Sequence, residues 1–205
     1  MLDITASMVS CPQREAVRAA TLDNWSRCDW GALPRMQIDD GREADMLTRI
    51  SGAWRKLLRW AAEESAAAFH LLLEDDIEPN LALRHNLERW PPLRRADGRR
   101  PFFASLYYCN QPLLWCNDRE RYGIGAREGS WGAQALLMSR TTVRYLVNHW
   151  DACDIRHQDI RMAVLAGRLS RIYYHLPSLV QHRLSESTWG NRQHHATDFD
   201  LHWKA

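Results

Sequence analysis

The stretch from Phe69 to Asn80 constrains this chain more than any other. An apolar run, Phe69-His70-Leu71-Leu72-Leu73, passes without a break into Glu74-Asp75-Asp76-Ile77-Glu78-Pro79-Asn80. Such a run fits a strand buried on both faces, as in the parallel sheet of an α/β domain. The carboxylates then fall at the carboxyl end of the strand, where open α/β sheets bind ligands. Three adjacent carboxylates repel one another, so a cation or a set of donors must neutralise them, and a hard divalent metal suits them best. The plainer alternative is an acidic turn leading into a helix from Leu81 to Trp90, with Pro79 as its starting signal.

The flanking segments alternate in the same α/β manner. Asp3 to Val9 reads as a first strand, and Ser10-Cys11-Pro12-Gln13-Arg14 turns into a helix carrying Val17, Ala20 and Trp25 at helical spacing. That turn is a candidate nucleotide contact, and the plainer reading of Arg14 is a surface arginine in the first turn of the helix. Residues 31–41 read as a loop with a short strand at Met36 to Ile38, and Asp39-Asp40 as a turn in preference to a second acidic site. Glu43 to Glu64 keeps a helical apolar period through Met46, Ile50, Trp54, Leu57 and Ala61.

Beyond the acidic stretch, Pro91 to Pro101 is rich in breakers and, with Arg84 and Arg89, is the densest basic stretch. Its functional reading is contact with an anionic acceptor, and its plainer reading is a solvated loop. Phe102 to Tyr108 reads as a strand. Cys109 to Trp131, with Gly123, Gly125 and Gly129, reads as a long loop of the functional or mobile kind, with Trp115 and Trp131 as candidate stacking residues. Gly132 to Met138 is strand-like, and Ser139 caps a helix from Arg140 to Trp150. A short helix stopped by Gly167 follows Asp154 to Asp159, and short strands lie at Ile172 to Tyr174 and Ser178 to His182.

Glu74-Asp75-Asp76 resembles the D-x-D motif of GT-A glycosyltransferases in its Glu-Asp-Asp form. Three further stretches resemble the same families in the same order: the Ser10 to Arg14 turn, Trp131-Gly132-Ala133-Gln134 before the Ser139-Arg140 helix start, and Pro177-Ser178-Leu179-Val180-Gln181-His182. The resemblance covers roughly positions 3 to 190. It implies an α/β fold, a single Rossmann-like GT-A domain over residues 1–205 with a mostly parallel central sheet flanked by helices. It also implies a UDP-sugar donor, held by Arg14, Glu74, Asp75, Asp76 and Trp131, and Mn²⁺ or Mg²⁺ on Asp76 and His182. Asp159 would be the general base of a single in-line, inverting displacement, with Asp154 as its competitor. The acceptor would be a saccharide or a modified base in DNA. A reading of another class is a non-catalytic glycan- or nucleic-acid-binding protein on the same fold.

Composition excludes several classes. The chain has 205 residues, enough for one sizeable core and hardly for two. No window approaches about 18 uninterrupted apolar residues and no leader is evident, so a cytoplasmic protein is expected. Five cysteines without a C-x-x-C pair indicate neither a disulfide framework nor a zinc ribbon. A net charge of +2 does not by itself argue for nucleic acid. His194, His195, Asp198 and His202 have a spacing open to a transition metal, but read more simply as a C-terminal tail, and Cys109 with His157 is too unspecific a pair for a thiol nucleophile.

Overall fold

The computed structural model describes residues 2–39, 41, 45–127, 130–183 and 194–205. Asp40, Glu43, Gly129 and residues 184–190, which figure in the expectations above, lie outside them. In chain order the elements are β1 (Ile4–Ser10), a 3-10 turn (Pro12–Arg14), α1 (Glu15–Arg27), β2 (Arg35–Ile38), α2 (Met46–Glu63), β3 (Phe69–Leu73), β4 (Ile77–Pro79), α3 (Leu83–Arg89) and α4 (Pro91–Arg95). Then come β5 (Phe103–Ser105), β6 (Leu113–Asn117), β7 (Tyr122–Gly125), β8 (Ala135–Ser139), α5 (Arg140–His149), α6 (Gln158–Gly167), β9 (Ile172–His175) and β10 (Val180–His182).

Eight strands form one central sheet in the order β2-β1-β3-β8-β5-β9-β7-β6. The pairings make all of them run one way except β8 and β7, so the sheet is mostly parallel in direction. β3 sits inside it and is buried along its whole length, which is why its sequence is a continuous apolar run rather than an alternation. Successive side chains still point to opposite faces. Phe69, Leu71 and Leu73 meet Trp25, Leu83, Leu87 and Trp90 of the α1–α3 layer. Leu72 meets Leu57, Leu58, Val143, Leu146, Met162 and Leu165 of the α2–α5–α6 layer. Helices thus cover both faces, as expected.

Three local expectations change. The long loop from Cys109 to Trp131 contains the β6–β7 hairpin. Gly123 and Gly125 are strand residues in close packing: a Cβ on Gly123 would meet Leu113 Cδ1 at 2.7 Å, and one on Gly125 would meet the Tyr174 ring at 2.5 Å. The strand expected from Phe102 to Tyr108 ends at Ser105, because Leu106 leaves the ladder to accept the N–H groups of Leu179 (2.8 Å) and Val180 (3.3 Å). The acidic stretch does not run directly into a helix either. Ile77–Pro79 is strand β4, paired antiparallel with β10, and Pro79 takes a strand position.

The basic stretch is displaced from its functional reading. Arg99 and Arg100 precede β5, Gly98 packs against Ala68 just before β3, and the Arg99 carbonyl accepts from Thr141 Oγ1 beside the β8 carboxyl end. All of this is at the end of the sheet away from the carboxyl end of β3. Among the described residues no helix is long and apolar enough to cross a membrane.

Candidate active site

The carboxyl ends of β1 and β3 and the amino end of β8 open into a cleft of about 540 Å³. Its lining includes Arg14, Glu74, Asp75, Asp76, Trp131, Asp159 and His182.

The acids are held from both sides. Ser10, the last residue of β1, donates its hydroxyl to Asp75 Oδ2 at 2.5 Å. Arg14 donates from Nε to Asp75 Oδ1 at 2.8 Å and from Nη2 to Asp76 Oδ2 at 2.6 Å. The 3-10 turn that opens with Pro12 sets this geometry, because it aims Arg14 back across the strand end. Arg18, one turn further on, donates to Ser10 Oγ at 2.9 Å. Thr21 donates to the Asp75 carbonyl at 2.7 Å. Burial pushes the Asp75 carboxyl up, partly offset by Ser10 and Arg14, with Asp76 adding to the rise. Burial also pulls against the Arg14 charge, yet Asp75 and Asp76 outweigh it and the guanidinium is held above its ordinary value.

Glu74 is the excess charge of the site. Its backbone N–H donates to the Gln134 carbonyl, and its carboxyl is pushed well up by burial and then by Asp76, Asp159 and Asp75. Two guanidinium groups, Arg14 and Arg49, among five lining carboxylates leave room for a further cation.

His182 arrives by the β4–β10 pairing. His182 is opposite Ile77 in the register, and the Arg183 N–H donates to the Asp76 carbonyl at 2.7 Å. His182 Nε2 therefore sits 3.2 Å from Asp76 Oδ2. Burial lowers the affinity of its ring for a proton, but the Asp76 hydrogen bond and charge more than reverse this and its pKa is raised.

Asp159 occupies the first turn of α6, where a carboxylate is favoured by the helix dipole. Its Oδ2 accepts the Gly132 N–H at 2.9 Å and its Oδ1 the Ile160 N–H at 2.8 Å. Gly132 has φ +90°, a conformation that glycine takes without strain. Asp154 is exposed and does not line the cleft.

Trp131 lines the cleft with its ring 4.8 Å from that of His194. Trp115 does not: it is half exposed on edge strand β6, against Tyr122 at 5.4 Å. Sequence reasoning missed His194 as a wall of the cleft, because a tail carries no periodic signal. It preferred a turn to a second acidic site at Asp39, whose carboxylate accepts from Arg49 Nε at 2.8 Å and from the Gly41 N–H at 3.1 Å. Both Asp39 and Arg49 line the cleft. The C-terminal segment is tied down rather than loose. Asp198 accepts from Ser178 Oγ (2.7 Å) and N–H (3.1 Å), Tyr107 Oη donates to the His194 carbonyl (2.6 Å), and Asn80 and Asn86 donate to the Trp203 carbonyl. Asp198 is thereby committed to structure.

A divalent cation was tested against this donor set. Cis ligands about 2.1–2.2 Å from one octahedral ion lie roughly 3 Å apart, and the Asp76 to His182 separation of 3.2 Å matches that edge. Oxygen with a single imidazole suits Mn²⁺ or Mg²⁺. Among the described residues no group of three His, Cys, Asp or Glu side chains surrounds one point, so the protein would supply two ligands and leave the remaining positions to substrate and water.

No protein-family model matches the sequence, and no curated protein matches it. Among solved structures, the chain is similar to the crystal structure of galactosyltransferase LgtC in complex with donor and acceptor sugar analogs, with a TM-score of 0.49, 10% identity, and 96% of this chain and 92% of that chain covered. It is also similar to an active-site mutant of LgtC, with a TM-score of 0.47 and the same identity and coverage.

Proposed function

We propose that this chain is a metal-dependent glycosyltransferase of the GT-A type, a single domain over residues 1–205, which moves a hexose from a UDP-sugar to an acceptor hydroxyl with inversion. The observation that supports this reading is the convergence of Arg14, the Glu74-Asp75-Asp76 run, Trp131, Asp159 and His182 on one cleft at the carboxyl ends of β1 and β3.

The nucleoside end of the donor would lie along β1 and the 3-10 turn, beside Arg14, with Asp39 and Arg49 beyond it. Asp76 and His182 would hold the cation, which supplies Lewis-acid neutralisation of the departing diphosphate. Glu74, close to both Asp76 and Asp159, would face the ribose or the sugar. Asp159, fixed by the Gly132 and Ile160 N–H groups, would take the proton of the acceptor hydroxyl as that oxygen attacks the anomeric carbon from the side opposite the leaving diphosphate. Trp131 would wall the site against water, which would otherwise compete as acceptor.

A saccharide is the acceptor proposed. The DNA reading drew on the arginine stretch from Pro91 to Pro101 and on the tryptophans; the arginine stretch does not line the cleft, and of Trp115 and Trp131 only Trp131 does. The test is release of UDP from a panel of UDP-sugars with saccharide acceptors, for the native chain and Asp159→Asn. Turnover that Asp159→Asn lowers by at least about a hundred-fold, the scale of general-base catalysis, supports the reading. UDP binding without turnover of any sugar would instead support a non-catalytic binding protein.

A further inference from the structure

Some arginines are matched by carboxylates, and among the exposed ones without a close carboxylate five lie together. Arg14, Arg49, Arg55, Arg84, Arg95 and Arg156 each contact a carboxylate. Arg99, Arg127, Arg168 and Arg171 are exposed and form no ion pair among the described residues, and Arg100 reaches only Asp97, at 3.9 Å.

These five unbalanced arginines share one surface. Phe103 pairs with Ile172 in the sheet, which sets the segment entering β5, with Arg99 and Arg100, beside the segment entering β9, with Arg168 and Arg171. The Arg127 stem lies across Gly167, where a Cβ would meet Arg127 Cγ at 2.7 Å. The loop is also fixed in place. Asp97 Oδ1 accepts the N–H groups of Arg99 (3.0 Å) and Arg100 (2.9 Å), and Thr141 Oγ1 donates to the Arg99 carbonyl at 2.6 Å. α6 runs from Gln158 at the cleft to Gly167 at this surface, so the two lie at opposite ends of the fold.

We infer that this end of the protein docks on an anionic phospholipid surface. Guanidinium groups match phosphate, and clustered like charges without carboxylate partners favour an anionic one. A nucleic acid fits less well. α6 offers its C-terminal end and α5 its first turn here, and no helix lies lengthwise along these arginines to enter a groove. A planar array of headgroup phosphates requires only the breadth that the three segments provide. Docked in this way, the protein turns its cleft to the solution.

The experiment is co-sedimentation of the full chain with phosphatidylcholine vesicles and with phosphatidylcholine vesicles containing phosphatidylglycerol, at low and at physiological ionic strength. The native protein is compared with Arg99→Gln/Arg100→Gln/Arg171→Gln. Each arginine near an anionic surface contributes about a five-fold factor, so the triple variant is expected to bind about a hundred-fold more weakly. Its unchanged thermal midpoint would show that it folds. Binding only to the anionic vesicles, reduced by salt and lost in the variant, is the expected result. No binding at low ionic strength, equal binding to neutral vesicles, equal binding by the variant, or displacement from vesicles by duplex DNA would each overturn the inference, the last in favour of a nucleic-acid partner.

Discussion

His182 Nε2 lies 3.2 Å from Asp76 Oδ2, and the short β4–β10 ladder puts it there. Ile77 follows Asp76 and faces His182 in the register, so the ladder fixes the spacing between the two side chains. If they share a cation, His182→Ala lowers Mn²⁺ affinity by at least about ten-fold, the scale on which support of metal ligands is felt, while secondary structure is kept. Calorimetric Mn²⁺ titration of the native and variant chains checks this, and equal affinities would remove His182 from the metal site.

Arg14 is the principal neutralising charge for two buried carboxylates, Asp75 and Asp76. Arg14→Met leaves both acids in place without it, so a loss of about 3–5 kcal/mol is expected at neutral pH, the cost of breaking a buried pair from one side. The loss should shrink in acid as the carboxylates take protons. Urea denaturation at the two pH values measures it.

The sheet and most of the cleft were legible in the sequence because their signals are local. The Phe69–Leu73 run marked the buried strand, Ser139 its neighbour's helix cap, and Asp159 the first turn of α6. What escaped depends on contacts distant in the chain. Gly123 and Gly125 look like loop residues until Leu113 and Tyr174 are seen against them. The basic stretch looks like an acceptor site until the β5–β9 pairing carries it to the far end of the sheet. Asp39 and His194 join the cleft only through tertiary contacts with Arg49 and Trp131.

Gly125 has almost no room to vary, since a Cβ there would meet Tyr174 Cε2 at 2.5 Å and Ser130 Oγ at 2.9 Å. Gly125→Ala is expected to cost about 1–3 kcal/mol through overpacking. A lower urea midpoint at an unchanged slope would confirm it, and an unchanged midpoint would show that the β7–β9 packing yields.

Two buried histidines limit stability in acid. Burial lowers His70 and His175 to about 4, against an ordinary value near 6.5 in the unfolded chain. Between those values the unfolded state binds more protons, so stability is complete above about pH 6.5 and falls as pH drops toward about 4. Each histidine contributes a loss on the order of 2 kcal/mol between about pH 7 and about pH 5. His70→Gln should flatten this acid limb by one histidine's share, and an unaltered pH profile would contradict the assignment.

The central claim is that the Asp76 carboxylate joins a divalent cation to a nucleotide diphosphate in this cleft. The most direct measurement is calorimetric titration of UDP into the native chain and into Asp76→Asn, each with Mn²⁺ and with chelator. The account predicts UDP binding that needs Mn²⁺ in the native chain and is lost in Asp76→Asn while its fold is retained. UDP binding of equal strength with and without Mn²⁺, or unaffected by Asp76→Asn, would contradict it.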